Sequence, residues 1–157
     1  MPRLDRAAVE FYKTDMDIYR VSDNYFVSPQ LDPADVQALF DAGILRVICN
    51  RPDQEVPFAL QAEAIGDAVR AAGMDFSMLP ITHQSMTAEV VAEHAELVDS
   101  CEGPVLAYCA SGTRSTVIWA LGQIGTLSVD DILNSATQAG YDLSGLRPTL
   151  QGLSATN

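Results

Sequence analysis

Lysine is almost missing from this chain. Lys13 is the only one in 157 residues, and arginine raises the basic total to 9 against 21 aspartates and glutamates, a net charge of −12. Recognition of a phosphate backbone needs clustered Lys and Arg, so nucleic acid and anionic membrane surfaces are excluded as partners. Cysteine is scarce: Cys49, Cys101 and Cys109 are odd in number and lack C-x2-C spacing. With only His83 and His94 to join them, neither a disulfide framework nor a metal centre is expected. No apolar run approaches the ~20 residues that cross a bilayer. The opening Met-Pro-Arg-Leu-Asp-Arg has no apolar stretch of a secretory signal. These shortages point to a reducing cytoplasm. Nothing in the pattern sets an oligomeric state.

What is present suits one globular domain over 1–157. The chain is 48% hydrophobic and 19% charged, outside the disordered and fibrous ranges. Residues 1–15 read as an arm or a short helix. Ile18–Val21 and Tyr25–Val27 read as strands around a Ser-Asp-Asn turn. Asp32 and Pro33 are N-cap and first-turn signals for a helix with Val36, Leu39 and Phe40 as its apolar stripe, stopping at Gly43. The pattern then predicts a strand over Leu45–Cys49, a helix over Phe58–Ala72 and a strand over Phe76–Leu79. Next come a helix that Thr87 can cap and that reaches about Ser100, a strand over Pro104–Tyr108 and a helix from Arg114 to Gly125. Ser128 with Asp131 resembles a capping box opening the final helix, which stops before Gly140.

Strands alternating with helices imply a three-layer α/β fold, with a mostly parallel central sheet of four or five strands flanked by helices. Ligands of such sheets bind beyond the carboxyl ends of the strands. Three loops meet that condition: Asn50–Pro57, Ile81–Met86 and Cys109–Arg114.

The last of these carries the chemistry. In Cys109-Ala-Ser-Gly-Thr-Arg-Ser115, a thiol sits on a strand-to-helix turn, at the positive end of the helix dipole. Backbone N–H groups of Ala110, Ser111, Gly112 and Thr113 can converge on an anion above the sulfur. Arg114 adds a planar fork for an oxyanion, and both features favour the thiolate. Ser115 is placed to hydrogen-bond the sulfur as it departs from a covalent intermediate. His83, in a loop expected to end the strand beside the cysteine strand, is a candidate acid. Asp53 and Arg51, beyond the Leu45–Cys49 strand, can face the same pocket, Arg51 as a second anion contact. Cys49, Cys101, Tyr108 and Trp119 read as core, and His94 as a half-buried, hydrogen-bonded histidine.

The stretch Val105-Leu-Ala-Tyr-Cys-Ala-Ser-Gly-Thr-Arg-Ser115 resembles the phosphate loop of cysteine-dependent, dual-specificity-type phosphatases. Further segments extend the resemblance: Ser28-Pro-Gln-Leu-Asp-Pro33, Val47-Ile-Cys-Asn-Arg-Pro-Asp53, Leu79-Pro-Ile81 and Ala139-Gly-Tyr-Asp-Leu-Ser-Gly-Leu-Arg-Pro148. Across roughly 17–150 the chain resembles the bacterial family called beta-lactamase hydrolase-like protein, phosphatase-like domain. The resemblance implies a cysteine-phosphatase-like fold without a cofactor. It also implies hydrolysis of a small phosphomonoester or phosphotyrosine-type substrate through a Cys109 phosphate intermediate.

Three departures keep other chemistry open. Four residues separate Cys109 from Arg114, one fewer than in ordinary phosphatases and as in rhodanese-type sulfurtransferases. Tyr108 stands where those phosphatases place His. Nothing acidic lies between Asp75 and Glu89, where their general acid belongs, so His83, Asp53 or Glu55 must substitute. Ala110 points the other way, since rhodanese-type loops often carry Arg there. A rhodanese-like sulfurtransferase with a Cys109 persulfide is therefore the alternative. A non-catalytic oxyanion-binding or redox-sensing module is the second. All three readings take a small anion, a phosphate ester or a sulfane-sulfur donor, as the partner.

Overall fold

The computed structural model describes residues 17–156, so the arm or helix expected over 1–15 lies outside the described residues. Five strands form one sheet: β1 (Tyr19–Ser22), β2 (Tyr25–Ser28), β3 (Arg46–Cys49), β4 (Asp75–Met78) and β5 (Val105–Tyr108), in the order β1-β2-β5-β3-β4. Only β1 and β2 run antiparallel, joined across the short turn that the sequence marks. β2, β5, β3 and β4 are parallel, with Tyr108 at the centre in register with Ser28 on one side and Cys49 on the other.

Successive strand residues serve opposite faces, which divides the core in two. One face carries Phe26, Val47 and Leu106 against α1 (Val36–Ala42) and α2 (Ala62–Ala71). The other carries Val27, Ile48 and Ala107 against α3 (Ala88–Asp99), α4 (Thr113–Gly122), α5 (Val129–Gln138) and α6 (Arg147–Thr156). β5 is fully buried, as a central parallel strand must be. This is the three-layer α/β architecture with a mostly parallel sheet. No helix among the described residues is long and apolar enough to cross a membrane.

Several boundaries move for identifiable reasons. The Asp32 signal produces a reciprocal cap, Asp32 accepting Ala34 N–H at 2.9 Å while Asp35 accepts Asp32 N–H at 2.9 Å. The turn it opens is 3-10 over Pro33–Asp35 before α1 begins. Phe40, expected in the core stripe, is 44% exposed; Val36, Leu39 and Ala42 are the residues α1 buries. The helix expected over Phe58–Ala72 is broken at extended Gln61, leaving a 3-10 turn over Phe58–Leu60 and then α2. α5 is not the final helix: Pro148 sits in the first turn of α6, where its missing N–H costs nothing.

His94 also departs from expectation. It is fully buried on α3, its ring edge-on to Tyr25 at 5.9 Å, and its Nε2 has no hydrogen-bond partner among the described residues. Burial holds its pKa down at about 4. The group is neutral in the folded state while the unfolded chain binds a proton below the usual 6.5. Stability is therefore undiminished above pH 6.5 and lost as pH falls toward 4. Urea midpoints should show this group costing about 2 kcal/mol between pH 7 and pH 5. His94→Leu should flatten the curve in that window; an unchanged slope would place the titration elsewhere.

Candidate active site

The site forms where β3, β4 and β5 end, and Asn50 ties those ends together. Its N–H donates to Tyr108 O at 2.8 Å, and its carbonyl accepts Ile81 N–H at 2.9 Å. Its side chain is completely buried, with Nδ2 donating to Leu79 O at 3.0 Å and Oδ1 accepting the Ser115 hydroxyl at 2.8 Å. One asparagine thus holds the turns after three strands and the first turn of α4.

Cys109 follows β5 and is buried, 1% exposed. The chain then turns through Ala110 and Ser111 to Gly112, which caps α4 at φ +93°, a conformation that disfavours a side chain. Gly112 N–H donates to Cys109 Sγ at 3.1 Å. The turn is braced locally: Gln30 N–H donates to Ala110 O at 3.4 Å, the Ser111 and Thr113 hydroxyls pair at 2.9 Å, and Thr113 N–H donates to Ser111 Oγ at 3.3 Å. Arg114 and Ser115, in the first turn of α4, have backbone N–H groups without helical acceptors. Of the four loop positions expected to line an anion, Gly112 is the one whose N–H meets the sulfur, while Thr113 N–H turns to Ser111.

Arg114 reaches back beside the thiol. Nη1 donates to Glu55 Oε2 at 2.9 Å and Ile81 O at 3.0 Å, and Nη2 donates to Glu55 Oε1 at 2.7 Å. The Glu55 hydrogen bonds hold the guanidinium charged, and the nearby Cys109 sulfur adds to the effect. In return Arg114, and then Arg51, keep the Glu55 carboxyl below the usual carboxylate range. Arg51 completes the cluster, Nε donating to Glu55 Oε1 at 3.2 Å and Nη1 to Gln30 Oε1 at 3.2 Å.

The other expected residues fall differently. Ser115 is fully buried and its hydroxyl proton goes to Asn50, not to the sulfur as expected. Asp53 lies one turn from the cluster, but its carboxylate accepts Ala62 N–H at 2.8 Å and so caps α2. His83 occupies an exposed turn and makes no hydrogen bond or ion pair among the described residues. β3 lies between β4 and β5, so the loop after β4 does not flank the cysteine strand directly. That loop reaches Arg114 through the Ile81 carbonyl rather than through His83. Cys49 and Trp119 are buried as expected, and the buried Tyr108 hydroxyl lies beside the Cys49 thiol, with Asp53 and Arg51 acting on it from further off.

Three participants had weak signals. Glu55 was visible only as a distant acid, and its role as partner to both arginines depends on tertiary placement. Asn50 reads as an ordinary turn residue beside Arg51-Pro. Tyr141 gives no hint until the chain after α5 folds back: its hydroxyl donates to Ser111 O at 2.9 Å. Gly140 just before it, at a helix end, is the cue that the chain reverses there.

Comparisons with known proteins bear on the fold and the family. Curated beta-lactamase hydrolase-like proteins of Agrobacterium fabrum and Xylella fastidiosa Temecula1 are 29% and 27% identical over 89% and 82% of the chain. The chain spans about a third of their length, 33% and 30%. A candidate phosphatase structure from Neisseria meningitidis Z2491 superposes with a TM-score of 0.79 at 32% identity, covering 88% of this chain and 99% of that one. PTPMT1 in complex with PI(5)P shares the fold, with a TM-score of 0.68 at 14% identity, covering 89% of this chain and 98% of that one. The family model for the beta-lactamase hydrolase-like protein, phosphatase-like domain, matches residues 17–126, and the chain belongs to that family.

Proposed function

We propose that the protein is a cysteine-dependent phosphatase acting on small aryl phosphomonoesters. The observation that carries this reading is the set of donors around Cys109. Arginine has five N–H donors, and three on Arg114 are committed to Glu55 and Ile81. The Nε–H and the second Nη2–H share one edge of the fork and remain for the sulfur and its ligand. With the Arg114 and Ser115 amides they supply donors for the equatorial oxygens of a phosphoryl group. In this reading Glu55 is a positioning residue that fixes the fork and leaves its other edge free.

The Cys109 thiolate attacks phosphorus, the P–O bond to the leaving group breaks, and a thiophosphate forms on Cys109. Water then cleaves the P–S bond, releasing phosphate and restoring the thiol. Among the described residues, none of the candidate acids stands ready for the leaving oxygen. Asp53 is engaged as a cap, Glu55 is held ionised by two arginines, and His83 stands in an exposed turn. A leaving group that departs as an anion without help suits such a site, hence phenolic rather than alkyl esters.

The same vacancy supports a second reading. Sulfur transfer from a sulfane donor to Cys109 and on to a thiol acceptor needs no oxygen leaving-group acid, and the four-residue loop suits a smaller transferred atom.

Turnover of aryl phosphates should rise steeply as the phenol becomes more acidic, with alkyl phosphates near background. Cys109→Ser should lower aryl turnover at least about a thousandfold. Equal rates for Cys109→Ser and wild type across both ester classes would sink the proposal. Glu55→Gln should lower kcat/KM by about tenfold through loss of a fixed fork. An increase would show instead that Glu55 occupies the place of the substrate.

A further inference from the structure

We propose that Tyr141 is a positioning residue for Cys109, its hydroxyl fixing the Ser111–Gly112 peptide so that the Gly112 N–H points at the sulfur. Ser111 C=O and Gly112 N–H belong to one planar unit and face opposite ways. The carbonyl end accepts the Tyr141 hydroxyl at 2.9 Å, and the N–H end donates to Cys109 Sγ at 3.1 Å. The three groups form a chain in which each hydrogen bond polarises the next.

The need for such a clamp comes from glycine. Flipping this peptide changes ψ of Ser111 and φ of Gly112 by about half a turn, and glycine is the residue that accepts both signs of φ. The flipped unit would aim a carbonyl oxygen at the sulfur and at any anion above it. No other hydrogen bond among the described residues holds the Ser111 carbonyl outward. Tyr141 also fills the space a side chain would need: a Cβ on Gly112 would lie 2.0 Å from the Tyr141 hydroxyl oxygen.

Tyr141 is itself held firmly. Gly140, at φ +101°, ends α5 with its N–H on Thr137 O at 2.9 Å, and Tyr141 N–H returns to Ala136 O at 2.9 Å. This paired closure of the helix end sets where the next side chain leaves the backbone. The Tyr141 ring meets Tyr19 of β1 edge-on at 5.9 Å. Burial, then Tyr19, Cys109 and Asp17, keep the phenol protonated and able to donate.

The other groups that act on the sulfur are Arg114 with Glu55 behind it, Cys49 on β3 and Tyr25 on β2. All are retained in Tyr141→Phe, which keeps the ring and removes only the hydroxyl. The proposal rests on Cys109 as the reactive group but not on the identity of the substrate, so its test uses alkylation rather than turnover.

The iodoacetamide rate at Cys109 should be followed from pH 5 to 10 by peptide mass spectrometry, in wild type and Tyr141→Phe. At neutral pH the variant should react roughly three- to tenfold more slowly, because a less stabilised thiolate is less populated. The two rates should converge at high pH. Equal rates throughout, or a loss that persists on the high-pH plateau, would overturn the proposal. In wild type the Gly112 amide proton should move downfield as Cys109 ionises. A Gly112 signal indifferent to that ionisation would overturn it even if the variant failed to fold. Should alkylation behave as described while aryl phosphates are not hydrolysed, the functional reading fails and the role of Tyr141 stands.

Discussion

Everything at the carboxyl edge of the sheet depends on the four hydrogen bonds of Asn50. A parallel sheet leaves its strand ends as separate loops, each free to choose its own course. Here one buried side chain and its own peptide join Tyr108, Ile81, Leu79 and Ser115. A completely buried amide is tolerated only when such bonds are made, and leaving one partner open costs about 1–3 kcal/mol. The geometry of Cys109, one residue beyond Tyr108, and of Arg114, one before Ser115, follows from that join. Ser115 gives its proton to Asn50 because support of the loop comes before contact with the sulfur.

The charge of the whole molecule says little about this pocket. A net charge of −12 is spread over the surface, whereas the field at the sulfur is set by a helix N-terminus and two arginines sharing one glutamate. Glu55 cancels part of that positive charge and buys orientation with it, leaving one edge of the Arg114 fork unspent. The acidic exterior slows approach of highly charged ligands at low salt, and local donors decide what stays. A small anion suits both facts.

Much of this was legible in the residues. Hydrophobic periodicity and the Asp32, Thr87 and Ser128 caps gave the order of elements, and the Cys109–Ser115 spacing gave the loop. The strand order was not legible, because adjacency in a sheet is a tertiary fact; β3 separates β4 from β5 and so sets His83 aside. Asp53 looked free to act, but a helix start nine residues later claims its carboxylate. Tyr141 and Glu55 are 32 and 54 residues from Cys109 along the chain, and no local pattern connects them. His94 looked like a satisfied polar group on a helix stripe, and only packing shows that burial left it unpartnered. The errors share one cause: side chains with several possible partners are assigned by the fold, not by their neighbours in sequence.

In the proposed reaction Cys109 takes up a phosphoryl group held by Arg114 and the loop amides. Rapid acid quench during turnover of an aryl phosphate, followed by intact and peptide mass spectrometry, tests it most directly. A parallel sample with thiosulfate provides the contrast. A phosphoryl adduct on Cys109 should form from the ester, be absent in Cys109→Ser, and have no counterpart of comparable occupancy from thiosulfate. A persulfide on Cys109 from thiosulfate with no phosphoryl adduct at any quench time would contradict it.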